Sequence, residues 1–121
     1  MKLLKIFLSF TLFFFILSCS KEVNNKSVIK EKSLDLQVME AYNEGKKSLE
    51  AGDVLFAAKK FNEAELLFPQ SEWAPKSALM AAYSYYSQDY YGDAIAELNR
   101  FLRVYPNYKH TDYVYFLLGL S

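Results

Sequence analysis

The sequence predicts an all-α chain, a solenoid of helical hairpins that follows a leader and a tether. Three observations carry this reading. From Leu34 onward apolar residues recur at three- and four-residue spacing, and no stretch alternates with period two. Gly and Pro are scarce, at 4 and 3 of 121 residues, which argues against an all-β or low-complexity chain. A shift of 37 residues lays the chain on itself: Gly45 on Ala82 and Gly119, Ala57 on Ala94, Phe61 on Leu98, and Pro69 on Pro106.

The chain opens MKLLKIFLSFTLFFFILSC. Lys2 and Lys5 form a basic start, and the apolar run from Ile6 to Leu17 is softened only by Ser9 and Thr11. A spanning helix needs about 18 to 20 apolar residues, so this run has the length of a secretory signal. Five of the ten Phe lie in the first 15 residues while all ten Tyr lie at or beyond Tyr42, which marks two environments. The run ends in Ile16-Leu17-Ser18-Cys19, which resembles the bacterial lipobox, although Leu17 is bulkier than usual at its position. That resemblance implies removal of residues 1–18 and a diacylglycerol plus an N-acyl chain on Cys19, the only Cys. Buried acyl chains contribute about 0.8 kcal/mol per methylene, so several of them make a lasting anchor. Ser20 rather than Asp after the cysteine implies sorting to the outer membrane of a Gram-negative bacterium, on its periplasmic face.

Residues 19–33 form the lipidated start and a polar stretch, SKEVNNKSVIKEKS, without a clear period. This stretch reads as a flexible tether with a reach of roughly 50 Å when extended. The whole chain carries 14 basic and 14 acidic residues, and loss of the leader leaves 12 and 14. No basic excess or stripe remains to hold nucleic acid.

Helices are predicted over 34–51, 53–68, 72–88, 90–105 and 110–120. Gly52 closes the first and Asp53 caps the second; Pro69 stops the second and Ser71 is placed to cap the third. Pro75 falls in the first turn of the third, where it does least harm. Pro106-Asn107 ends the fourth. Short loops then make neighbouring helices antiparallel.

Gly45, Ala57, Phe61, Ala64 and Pro69 stand in the small, small, large, small and proline order of the tetratricopeptide repeat, which this stretch resembles. Tyr85, Ala94, Leu98 and Pro106 repeat that order, with Phe101 where an alanine is usual. The resemblance implies one repeat over 34–69, a second over 71–106, and the first helix of a third over 110–121. Such solenoids line a concave groove with the first helix of each pair. Ala78, Ala82 and Tyr85 then form the packing face of the third helix, and the stripe Leu79, Tyr83 and Tyr86 faces the groove. Tyr42, Lys46 and Leu49 match it in the first helix, as do Tyr113, Phe116 and Leu120 in the fifth. An aromatic groove with Lys46 near its edge suits an extended peptide that carries aromatic side chains and a carboxylate.

Catalytic patterns are missing from the sequence. It contains no Gly-rich phosphate loop, paired-Cys motif or nucleophile elbow. One His and one Cys are too few for a Cys/His metal site. His110, before the last helix, is expected to cap or pack. Glu63, Glu65, Asp93 and Glu97 are expected to be helix-surface charges. The expectation is a non-enzyme with no cofactor beyond the acyl chains on Cys19.

Two blocks sharpen the resemblance: FNEAELLFPQSEWAPKSALMAAYSYYSQDYYGDAIAELNRFLRVYPNY and HTDYVYFLLGLS. With the leader, Cys19 and the tether, they resemble the BamD family of outer-membrane lipoproteins over residues 19–121. That resemblance implies a component of the β-barrel assembly machinery. It further implies binding of C-terminal segments of unfolded outer-membrane precursors, and of partner subunits that include the barrel insertase. Family members carry more repeats, so a truncated product or incomplete sequence is expected at Ser121. The alternative is a periplasmic repeat scaffold of the Tol–Pal and cell-division type, whose members usually lack the lipobox cysteine. A peptidoglycan-processing enzyme would need a catalytic domain beyond Ser121.

Overall fold

The computed structural model describes residues 33–121. The leader, Cys19 and all of the tether but Ser33 lie outside the described residues. Five helices follow: α1 (Leu34–Glu50), α2 (Val54–Leu67), α3 (Trp73–Tyr86), α4 (Tyr91–Val104) and α5 (Thr111–Leu120). Each packs on the next, and α1 also touches α3. This is the tetratricopeptide-like hairpin arrangement that the self-comparison predicts: α1, α3 and α5 are first helices, α2 and α4 second helices. Among the described residues no helix is long and apolar enough to cross a membrane.

Local chemistry sets most of the ends. The Leu36 amide donates to Ser33 Oγ at 3.4 Å and so caps α1, while the Phe56 amide donates to Asp53 Oδ1 at 3.1 Å and caps α2. Gly52 sits between them at φ +83°, a conformation that side chains disfavour. Ser71 does not cap α3. Glu72 holds the cap position without a side-chain bond, and Ser71 Oγ turns back to donate to the Phe68 carbonyl at 2.7 Å. After α3, Asp89 takes φ +62° and its carboxylate accepts the Tyr91 hydroxyl at 2.6 Å, closing the turn into α4. His110 makes no cap bond either; its ring packs edge-on against Tyr108 at 5.6 Å.

The repeat positions explain the packing. A Cβ on Gly45 would stand 2.9 Å from the Phe61 ring, so α1 and α2 approach this closely only with glycine there. Phe61 is fully buried and meets Tyr42 edge-on at 5.2 Å. In the second hairpin Ala82 and Leu98 take the matching places in a core that also holds Ala78, Phe101, Val114 and Leu117. Phe101, larger than the usual alanine, is fully buried there. Its ring meets Tyr105 at 5.1 Å and Tyr108 at 5.4 Å.

Candidate functional site

The first helices and one loop enclose a hollow of about 340 Å³. Its walls are Tyr42 from α1, Lys76, Leu79, Met80 and Tyr83 from α3, Tyr108 from the α4–α5 loop, and Tyr113 from α5. The α3 set follows from helical geometry, because residues three, four and seven apart share a face. None of the four phenol hydroxyls hydrogen-bonds to another described residue.

Of the groove residues read from the sequence, Tyr42, Leu79, Tyr83 and Tyr113 line this hollow. Tyr86 and Phe116 do not line it but stand beside it, Tyr86 against Tyr83 and Phe116 against Tyr113, each pair at 6.3 Å. Lys46 is exposed and is not part of the wall. The cation in the wall is Lys76, whose ammonium lies 5.0 Å from the Trp73 ring centre, and Trp73 in turn meets Tyr42 at 5.2 Å. Leu49 turns away from the hollow to pack on the core around Ala57 and Phe61. Lys76 was within reach of the sequence, since it extends the Leu79 stripe back by three residues. Tyr108 sits in a loop, where no period marks it.

Burial sets the direction for Tyr42, Tyr113 and Tyr108. It raises Tyr42 above the ordinary phenol value, with Tyr108 adding to the effect. It raises Tyr113 likewise, with Tyr83 and Tyr86 adding, and it alone raises Tyr108. These hydroxyls therefore stay neutral near pH 7 and can both donate and accept. With Lys76 among them, the lining combines aromatic and aliphatic side chains, four hydroxyls and one positive charge.

A separate charged cluster corrects the surface reading of Glu65. That residue is 5% exposed. Arg100 grips it from α4 with two bonds, at 3.0 and 2.8 Å, and the Tyr105 hydroxyl donates to it at 2.7 Å. Arg100 Nε also donates to Glu97 at 2.8 Å. Burial first, and then the bond to Glu65, pushes the Tyr105 phenol well above its usual range. The two Glu65 bonds, above all, hold the Arg100 guanidinium firmly charged. The reason for the burial is periodic: Ala58, Phe61 and Glu65 share one face of α2, and that face is covered. Glu63, by contrast, is exposed and pairs with Lys60 at 2.9 Å, which also reaches Glu44 on α1 at 2.8 Å. Among the described residues no group of three or more His, Cys, Asp or Glu could hold a metal ion.

Comparison with known proteins places this geometry. The sequence model of a family described as YfiO, outer membrane lipoprotein, matches residues 34–121, which is all five helices. The chain belongs to the YfiO outer membrane lipoprotein family. Similar proteins of the same kind carry the name outer membrane protein assembly factor BamD. The one from Caulobacter vibrioides is 31% identical over 93 residues, covering 77% of this chain and 29% of that protein. That of Neisseria meningitidis serogroup B is 35% identical over 86 residues, covering 71% and 32%. That of Xylella fastidiosa is 25% identical over 109 residues, covering 90% and 36%. This YfiO-family chain thus spans about a third of the length of these relatives. These matches lend no support to the Tol–Pal alternative.

Proposed function

We propose that this chain is a non-enzymatic, substrate-receiving part of the outer-membrane β-barrel assembly machinery. In this reading acyl chains on Cys19 hold it at the periplasmic face of the outer membrane. The hollow takes an aromatic residue from the C-terminal segment of an unfolded barrel precursor. The remaining helical surface meets other assembly subunits, including the barrel insertase. The names of the relatives support the setting, and the hollow supports the role. One observation carries it: four tyrosines whose hydroxyls bond to no described residue, and one lysine, line the same largely apolar hollow. Its volume lies in the range of about 300–1,000 Å³ that small-molecule and side-chain pockets occupy. Aromatic faces accept an aromatic guest, the hydroxyls bond to its peptide groups, and Lys76 offers an ion-pair partner to a carboxylate.

A photo-crosslinking residue in place of Tyr83, in the intact lipoprotein in living cells, tests this reading. Adducts with nascent outer-membrane barrel proteins are expected. Adducts with Tol-type envelope proteins would move the function to the Tol–Pal scaffold class. If the folded, membrane-held protein captured nothing, the hollow would not be the receiving site.

A further inference from the structure

The hollow and the buried charge cluster are joined by a continuous set of contacts. Tyr108 stands in the hollow's wall on the connection between Val104 and Thr111. Its carbonyl accepts from the Thr111 amide at 3.2 Å and from the Thr111 hydroxyl, which ties its backbone to the start of α5 and leaves the placing of its ring to side-chain contacts. Its ring rests edge-on against Phe101 at 5.4 Å, and its amide donates to the Tyr105 carbonyl at 3.1 Å. Tyr105 packs on the same Phe101 at 5.1 Å, and its hydroxyl ends on Glu65 at 2.7 Å. Glu65 belongs to the previous repeat. Arg100, on α4 five residues before Tyr105, closes the grip with its two bonds to the same carboxylate.

We infer that Glu65 is a positioning residue of the hollow: its grip on Arg100 and Tyr105 fixes, through Phe101, where Tyr108 stands in the wall. The inference rests on the proposed role of the hollow as a peptide receiver. Its physical basis is preorganisation. A loop aromatic that must be ordered on binding costs about 0.5–1.5 kcal/mol of side-chain freedom, and one already held does not. The charged cluster is suited to such a task because a bidentate guanidinium–carboxylate pair fixes orientation as well as distance. The effect reaches the site from another repeat, so neither the groove stripe nor the loop alone would reveal it.

The test uses the full chain and a synthetic peptide ending in Phe, with Trp73, the only Trp, as the fluorescent reporter beside Tyr42 and Lys76. Glu65→Gln keeps the volume and loses the charge, and it should weaken peptide binding about tenfold. In a Tyr108→Leu background the same change should weaken binding no further, because the residue through which it acts is gone. Equal weakening in both backgrounds, or none in either, would overturn the inference. Tyr105→Phe, which removes one hydroxyl and keeps the ring, serves where Glu65→Gln does not fold, and the same two outcomes decide it. A second readout is independent of the peptide. A single fluorotyrosine at Tyr108 should shift or broaden its fluorine signal when Glu65 becomes Gln. One at Tyr115, which is 62% exposed, should not. If the unaltered chain ignores the peptide, the receiver role falls, and the fluorine signals alone decide whether Glu65 positions Tyr108; unchanged signals would overturn it.

Discussion

Tyr105 and Tyr108 lie three residues apart, share Phe101 as a packing partner, and are used in opposite ways. The Tyr105 hydroxyl is committed inside the protein, to a carboxylate that two guanidinium nitrogens also hold. The Tyr108 hydroxyl bonds to no described residue, and Tyr108 lines the hollow with three other tyrosines in the same condition. The difference separates two kinds of polar group. One whose partners lie within the fold contributes to holding the repeats in register, and its removal strands a charge. One left open at a concave surface contributes little to folding and is free for a ligand. Stability is assigned to the buried cluster and, in the proposed reading, recognition to the hollow.

The largest expected effect breaks the stability side. Glu65→Ala leaves Arg100 and Tyr105 without their acceptor and should cost about 3 kcal/mol in urea unfolding, near the lower end for a buried pair because Arg100 is partly exposed. A loss below about 0.5 kcal/mol, as at an ordinary surface site, would erase the contrast. Tyr83→Ala should do the reverse. Its stability cost should stay near 1 kcal/mol, while binding of a Phe-ended peptide falls at least about tenfold, as anchor truncations do. A Lys76→Ala variant that binds a peptide amide as well as the wild type does, but loses the free-acid peptide, would assign the ammonium to the carboxylate.

A pH experiment sharpens the pair further. The Tyr105 phenol is raised by burial and by its bond to Glu65, so the folded chain keeps that proton after the unfolded chain, with its ordinary value of 10.0, has released it. The stability it contributes is therefore complete below pH 10 and is lost as pH rises from there through the folded value. Unfolding curves at increasing alkalinity should show this decline, and Tyr105→Phe should make it shallower, leaving the parts that Tyr42, Tyr108 and Tyr113 contribute. The smallest effect belongs to Ser77, a fully buried residue whose hydroxyl has no partner among the described residues. Ser77→Ala should leave thermal stability unchanged or raise it by up to about 1 kcal/mol, since no bond is lost. A clear loss would mean that the hydroxyl is committed after all, like that of Tyr105.

Much of the fold was legible because its signals are local or periodic. Turn residues such as Gly52 and Asp53 placed the helix ends within a few residues, and the 37-residue shift paired Gly45 with Ala82 and Phe61 with Leu98 before any geometry was known. Helical phase puts Leu79 and Tyr83 on one face of α3, and the repeat shift carries that face to Tyr42 and Tyr113, whereas Lys46 and Leu49, in the same phase on α1, do not reach the hollow. What failed depended on a choice between competing local partners, on partners far away in sequence, or on a loop without a period. Ser71 has two competing acceptor and donor options at a helix start, and the turn carbonyl of Phe68 won. Glu65 reads as a surface charge until Arg100, thirty-five residues later, is seen to cover it. Lys46 and Lys76 offer the same chemistry, and only the packing of α3 against α1 and α5 decides which one reaches the hollow. Tyr108 belongs to a loop, and its place in the wall comes from the packing of its ring.

The central claim is that the hollow recognises an aromatic chain end. Two synthetic peptides, identical except for a final Phe or a final Ser, can be titrated into the chain while Trp73 emission is followed. Saturable quenching or enhancement with the Phe-ended peptide, and none with the Ser-ended one, is the predicted result. Equal responses to both, or silence with both, would contradict the account.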